Sequence, residues 1–408
     1  MQDHANIFKK TENPKTADCY LINTCHIREK ATEKVYHDVG RIKKNYRNKN
    51  KPIVIIAGCV AQAEGEIILQ NDRYIDAVIG PQSYHELAKI IKGIEEKRDR
   101  INLTEFETIE KFDQINLIRN YNSKISSYLT IQEGCDKFCT FCVVPYTRGA
   151  EYSRSLTSIM DEAKQLIDIG VREITLLGQN VNAWHYNAPN NQNWGLGKLI
   201  DELAKINELK FIRYTTSHPL DMDIELIKSH RDNKKLMPYL HLPAQSGSDN
   251  VLKMMNRKHT AKEYLKIIEK VRDYNPKIAI SGDFIVGFPG ETEKDHISTL
   301  SLIKQVKYAQ AYSFKYSKRP GTPGSVFPNH VNEYTKKSRL YEVQELLRSQ
   351  QLSFNKKTIN SKIKVLVLKK GKKRNQYIGR SPFNQSVYFS SYSNNENLIG
   401  SFLDLNIT

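Results

Sequence analysis

Cys135, Cys139 and Cys142 place three thiols within eight residues at C-x3-C-x2-C spacing, and Val143-Val-Pro-Tyr-Thr-Arg-Gly149 follows at once. Three thiolates on one tight loop can hold three irons of a cubane cluster and leave the fourth iron open to a small molecule. A structural zinc site normally closes with four ligands, as two C-x-x-C pairs or with a nearby histidine. No fourth cysteine follows this loop, and the next histidine is His185. The spacing therefore favours cluster chemistry over structural zinc.

The other three cysteines lie in the first hundred residues, where strand and helix patterns alternate. Strands are expected at 19–25, 52–59 and 74–80, and helices at 28–42, 61–70 and 84–97, the last with Leu87, Ile90, Ile91 and Ile94 at helical spacing. This alternation implies a doubly wound parallel sheet covered by helices. Cys25 and Cys59 each close a strand, as Asn-Thr-Cys and Ala-Gly-Cys, so both fall on the ligand-binding edge of such a sheet. They read as a pair of ligands, although a free cysteine is often just a small buried apolar residue. Cys19 starts the strand that Cys25 ends, about 20 Å away at ~3.3 Å per residue, and is no partner for them. Residues 98–123 are polar and read as a connection.

Six further strands are expected at 128–132, 173–177, 211–215, 239–242, 278–286 and 310–316, separated by helices. The clearest helix is 158–169, with Ser158 and Asp161 as a capping pair and Gly170 as its stop. Repeated βα units of this kind suggest a full or partial (β/α) barrel. Polar and glycine-rich turns follow the strands: Gly134 with the cysteine loop, Gly178-Gln-Asn180, Ser217-His218, Gln245-Ser-Gly-Ser248 and Gly287-Phe-Pro-Gly-Glu291. In a barrel they share the carboxyl-terminal mouth, where active sites are built. His218 and His241 are expected to be structural or pocket-lining rather than bases.

The chain has 408 residues, 39% of them hydrophobic, and a formal charge of +17. That composition supports packed cores and excludes a disordered chain. No run approaches the ~18 apolar residues of a spanning helix, and no signal peptide opens the sequence. Six cysteines outside a secreted context point to metal or catalytic use in the cytosol. Residues 351–408 hold ten Lys or Arg and only two acidic groups, a concentration that suits a polyanion partner. After a helix at 335–353, short β-segments at 361–368, 377–380, 386–389 and 400–407 flank the basic turn Lys369, Lys370, Lys372, Lys373 and Arg374, with Arg380 beyond. A small antiparallel barrel with basic turns and aromatic side chains fits RNA, lysines meeting phosphates and rings stacking on bases.

A cysteine triplet of this spacing after the first strand of a βα barrel resembles the radical S-adenosylmethionine superfamily. The segments Asn23-Thr-Cys-His-Ile-Arg-Glu-Lys-Ala31, Ala57-Gly-Cys-Val-Ala-Gln62, Gly80-Pro-Gln82, Leu177-Gly-Gln-Asn-Val-Asn182, His241-Leu-Pro-Ala-Gln-Ser-Gly-Ser248 and Gly287-Phe-Pro-Gly-Glu-Thr292 narrow the resemblance to the methylthiotransferases over nearly the whole chain. The His-Ile-Arg-Glu-Lys-Ala and Gly-Pro-Gln segments are most similar to the branch acting on N6-isopentenyladenosine beside the anticodon of tRNA. The resemblance implies an N-terminal methylthiotransferase domain over 1–105, a radical S-adenosylmethionine core over 121–352, and an RNA-binding TRAM domain over 353–408. It also implies two 4Fe-4S clusters, one on Cys135, Cys139 and Cys142, and an auxiliary one on Cys25 and Cys59 that carries the inserted sulfur. Gly178, Gln179, Asn180, Gly287, Pro289, Gly290 and Glu291 would line the S-adenosylmethionine pocket, one such molecule yielding the radical and a second the methyl group. An unactivated adenine C2–H calls for a radical rather than an ordinary base.

In the family the auxiliary cluster takes a third cysteine from an N-terminal Gly-Cys-Gln-Met-Asn segment, with a first strand before it. Neither is found here, and the true start is expected upstream of Met1. Expected partners are a tRNA carrying isopentenyladenosine, an electron donor and a sulfur source, with no membrane, for a cytoplasmic monomer. The alternatives are a sister enzyme acting on threonylcarbamoyladenosine or a ribosomal-protein aspartate, and a tRNA-binding homologue impaired in catalysis.

Overall fold

The structure is a computed structural model that describes residues 9–24, 30–97, 99–104, 125–189, 192–391 and 398–408. Two compact units emerge. One joins the described residues before 105 to Gly134–Tyr152 and Ser317–Val326; the other holds the rest.

In the first unit four parallel strands stand side by side in chain order: Cys19–Thr24, Ile53–Gly58, Ala77–Ile79 and Ile101–Leu103. Side chains alternate across the sheet. Val54, Ile56 and Val78 pack against the helices Lys30–Asn45 and Cys59–Asn71 on one face. Ile55, Ala57, Ala77 and Ile79 meet Leu87, Ile90, Ile91 and Ile94 of the helix Leu87–Lys97 on the other. Helices on both faces are the layering expected from the sequence. The strand Ile101–Leu103 corrects it: part of the segment read as a polar connection joins the sheet beside Ala77–Ile79. Three residues with two apolar positions carry too little periodicity to be read as a strand. The remainder of that connection, 105–124, lies outside the described residues.

In the second unit, six parallel strands follow in chain order as Ser126–Thr130, Glu173–Leu177, Phe211–Tyr214, Tyr239–His241, Ala279–Val286 and Gln310–Lys315. They form two three-stranded sheets joined by a parallel bridge between Ile212 and Leu236. The result is the partial barrel anticipated above. Its outer face packs on the helices through Ile174, Leu176, Leu240, Ile280 and Phe284. The helix read at 158–169 spans Leu156–Asp168 and is capped by Ser155, whose hydroxyl accepts from Ser158 N, not by Ser158. Ser158 instead accepts a hydrogen bond from Arg154 at 2.8 Å.

The helix Glu333–Lys356 leads to a four-stranded antiparallel sheet in the order Ser386–Ser390, Gln376–Arg380, Lys362–Lys370, Phe402–Asn406. It curls as a half-barrel on the amino-terminal end of the barrel strands. Leu366, Leu368 and Phe402 pack on Ile125, Phe211 and Met237, and Phe383 packs with Tyr239, Ala279 and Ala309. The turns Gly178–Asn180 and Gly287–Glu291 lie at the opposite, carboxyl-terminal strand ends, about 16 Å away for a five-residue strand.

Candidate active site

The cysteine loop turns tightly on itself. Phe138 takes a left-handed backbone conformation with φ 48°, an uncommon one for a bulky residue. Cys142 N donates to Cys139 O at 2.9 Å, and Cys135 N donates to Gly149 O at 3.3 Å. Glu151 N donates to the Asp136 carboxylate at 3.0 Å. The loop is thus closed at base and tip by backbone bonds, leaving its three thiols free for a ligand role. Cys139 is buried, while Cys135 and Cys142 are half-buried. Burial pushes the Cys135 thiol up to about 11, and the neighbouring Cys139 raises it further. Thiolates held so close in a poorly hydrated site need cations to offset their charge.

An iron–sulfur cubane fits this donor set. All three donors are soft sulfurs, which select iron–sulfur clusters or zinc. Among the described residues no three His, Cys, Asp or Glu side chains converge as a single-ion site requires. A cubane takes its thiolates at separate corners, which suits thiols spread along a loop.

Cys59 lies in the same compact unit. The parallel register sets Thr24 beside Gly58, so the strands carrying the two N-terminal cysteine motifs end level. Cys25 itself lies outside the described residues. The Thr24 hydroxyl donates to Ala57 O at 2.6 Å and accepts from Val60 N at 3.2 Å. One strand's side chain thereby caps the helix that Cys59 begins, where Gly58 has none to offer. Gly58 has φ 98°, and a Cβ there would run into the Thr24 carbonyl oxygen. Cys19 packs with the apolar residues of the sheet, and burial pushes its thiol up to about 12.

One contact was not foreseen. Gln82, of the Gly80-Pro-Gln82 segment, is buried and donates from Nε2 to Arg148 O at 2.9 Å. Arg148 ends the short helix Val144–Arg148 that follows the cysteines. The only sequence signal was the Gly-Pro-Gln segment, which names no partner.

At the carboxyl ends of the barrel strands, much of the expected pocket chemistry is committed to holding the turns. Asn180 is buried; its N–H donates to Gln132 Oε1 at 3.0 Å and its amide donates to Asp221 at 2.8 Å. Asn182 brackets the His218 backbone, accepting from its N–H at 2.8 Å and donating to its carbonyl at 2.9 Å. Glu291 accepts from Gly287 N at 2.9 Å and from Arg339 Nη1 at 2.8 Å. Burial raises the Glu291 carboxyl above its usual range, with Gly287 N–H and Arg339 opposing the shift. Gly287, at φ 72°, leaves no room for a side chain beside Lys336. What these turns present outward is backbone, with Gln179 half-exposed.

In the tail, Lys369, Lys370, Lys372, Lys373 and Arg374 are exposed. Arg380 differs. Its Nη1 lies 2.7 Å from Glu173 Oε1, inside the join between tail and barrel. Nothing in the sequence signals this, because the two residues are 207 positions apart.

The half-barrel of parallel strands and the three-thiol loop define a radical S-adenosylmethionine enzyme, and the comparisons agree. The Radical SAM superfamily matches residues 129–303, and Uncharacterized protein family UPF0004 matches residues 3–80. The fold resembles a radical S-adenosylmethionine methyltransferase from Kitasatospora setae, with TM-score 0.57 and 13% identity over 76% of this chain and 64% of that one. Two relatives are called tRNA-2-methylthio-N(6)-dimethylallyladenosine synthase. The Anaplasma phagocytophilum protein is 51% identical over 95% of this chain and 87% of its own length. The Ehrlichia canis protein is 53% identical over 94% and 87%. This chain belongs to their family, the radical S-adenosylmethionine tRNA methylthiotransferases. It is an enzyme of tRNA modification whose cofactors are S-adenosylmethionine and two 4Fe-4S clusters.

Proposed function

We propose that this chain inserts a methylthio group at C2 of N6-isopentenyladenosine next to the anticodon of tRNA. Cys135, Cys139 and Cys142 hold the radical-generating cluster, and Cys25 and Cys59 belong to the auxiliary one. When bound, the first cluster supplies an open iron and one electron for cleaving S-adenosylmethionine. The observation that carries this reading is the three-thiol loop, closed by its own backbone bonds and offering no donor but sulfur. The turns Gly178–Asn180 and Gly287–Glu291 offer backbone groups for the nucleoside part of S-adenosylmethionine, held in shape by Asp221 and Arg339. The exposed cations from Lys369 to Arg374 meet tRNA phosphates, away from the reacting base because the tail covers the far end of the barrel. An electron donor and a sulfur source act with it in the cytoplasm. No helix among the described residues is long and apolar enough to cross a membrane.

The test is nucleoside mass spectrometry of tRNA from a strain lacking the gene. Loss of 2-methylthio-isopentenyladenosine, restored by this chain and not by its Cys139→Ala variant, is expected. Unchanged 2-methylthio-isopentenyladenosine in the deletion strain would sink the assignment. Loss of a methylthiolated threonylcarbamoyladenosine instead would move it to the sister reaction.

A further inference from the structure

The inner face of the half-barrel carries a polar group that the reading above leaves without a task. In the strand Ala279–Val286, Ile280, Phe284 and Val286 face the helix-packed core. Alternation therefore turns Ser281, Asp283 and Ile285 to the lumen. The register pairs His241 with Ser281, Asp283 with Tyr312, and Ile285 with Phe314. His241 Nδ1 lies 3.0 Å from Ser281 Oγ, and its Nε2 lies 3.4 Å from Asp283 Oδ2. The Tyr312 ring stands 6.4 Å from the His241 ring. Tyr312 and Phe314 are 47% and 36% exposed, on the edge strand of the half-barrel. Large aromatic side chains this open, facing a polar cleft, have the character of a stacking surface.

Resting on the proposed substrate, we propose that this group seats the purine of the target nucleotide, turned out of its stack, and reads its N6 substituent. A hydrogen bond from Ser281 Oγ–H to Nδ1 leaves the His241 proton on Nε2. A donor, His241 Nε2–H, then stands beside an acceptor, the Asp283 carboxylate. Adenine offers the complementary pair on one edge: N7 accepts and the single remaining N6–H donates. Gripping that edge leaves C2, on the opposite side of the ring, clear for reaction. Tyr312 stacks on the base. The substituent on N6 extends from the Asp283 side, where the next register pair, Ile285 and Phe314, is apolar. An alkyl chain is favoured there, and a polar carbamoyl group would lose hydrogen bonds to water without replacement.

Equilibrium binding of two anticodon stem-loop RNAs tests this, one with isopentenyladenosine and one with unmodified adenosine. Asp283→Ala is expected to weaken both by roughly tenfold, as for loss of a hydrogen bond to a charged group. Phe314→Ser is expected to spare the unmodified RNA and bring the isopentenyl RNA down to it. Iron and sulfide content, and S-adenosylmethionine cleavage without RNA, are expected to stay at wild-type levels in both variants. Unchanged binding in Asp283→Ala, or full discrimination in Phe314→Ser, would overturn the seat. If the wild type binds in this pattern yet yields no 2-methylthio product from either RNA, the proposed function fails and the seat stands.

Discussion

Glu173 sits in a fully buried position at the start of its strand, and four groups converge on it. Arg213 Nε lies 2.7 Å from one carboxylate oxygen. Arg380 Nη1, at 2.7 Å, and the Ser126 hydroxyl, at 2.8 Å, reach the other. Arg213 also donates to the carbonyls of Pro382 and Ser381 at 2.9 and 2.8 Å, so the carboxylate anchors the tail at the floor of the barrel. Burial lowers the Arg213 guanidinium from its ordinary value, and Glu173 is what pulls it back. Glu173→Gln keeps the shape and removes the charge, leaving Arg213 buried without a counter-ion. Breaking a buried pair on one side costs about 3–5 kcal/mol, a large part of the ~5–15 kcal/mol that holds a native domain together. For a unit of this size each 1 kcal/mol moves Tm by about 2–4 °C, so a fall of roughly 10 °C is expected in a thermal melt. Arg380→Ala removes a partner that is 28% exposed and should cost only about 1 kcal/mol. Replacing Glu173 and Arg213 together by Met should recover much of the loss, because an apolar pair carries no desolvation penalty. Trypsin should also cut the link at Lys356 and Lys357 faster in Glu173→Gln. A Tm within about 2 °C of wild type for Glu173→Gln would refute the reasoning.

Gly58→Ala puts a methyl group against the Thr24 carbonyl at a left-handed backbone position; a loss of about 1–3 kcal/mol is expected in chemical denaturation, together with lower iron content, since Cys59 moves with the strand end. Gln82→Leu removes the bond to the Arg148 carbonyl. It should cost about 1–3 kcal/mol and speed oxidative loss of the cluster on the neighbouring loop, read by its visible absorbance; wild-type decay would show that the tie is idle. His230 is fully buried against the Tyr214 hydroxyl at 2.6 Å, and burial lowers its pKa to about 4. Between pH 6.5 and 4 the unfolded chain binds a proton that the folded chain does not, so stability is complete above 6.5 and falls by up to about 3 kcal/mol towards pH 4. Denaturation midpoints across that range should flatten in His230→Gln, and an equal fall in that variant would remove His230 as the cause.

Local periodicity and local chemistry were legible in the sequence. The barrel strands are apolar runs ended by glycine and polar turns, and the cysteine triplet names its chemistry within eight residues. The N-terminal sheet showed in the same way, except for Ile101–Leu103, which is too short to carry a pattern. The cap of the helix Leu156–Asp168 was misplaced because two serines three residues apart both satisfy the local rule; the actual choice follows from Arg154 drawing Ser158 away. Contacts across long separations were not legible. Arg380 looked like one more cation of a basic tail until Glu173 was found beside it. His241 looked like a pocket-lining residue, which it is, but its company of Ser281, Asp283 and Tyr312 depends on strand register, and register is a property of the assembled sheet.

Chain order and compactness divide this protein differently, and the difference bears on its chemistry. The cysteine loop follows the first barrel strand in sequence, yet it groups with the N-terminal sheet, as does the segment Ser317–Val326 after the last barrel strand. That segment ties to the loop directly, Gly324 N donating to Thr140 O at 2.8 Å. The four described thiols that can ligate iron, on Cys59, Cys135, Cys139 and Cys142, thus share one unit, braced by Gln82 and Thr24. The second unit contains none of them; it holds the lumen-facing polar group and the basic tail. Radical generation and sulfur supply therefore belong to one folded unit and RNA recognition to the other. The chain passes between them at the ends of the first and last barrel strands without a linker. Substitutions in the second unit should alter which RNA is bound while leaving cluster content intact, and substitutions in the first should do the reverse.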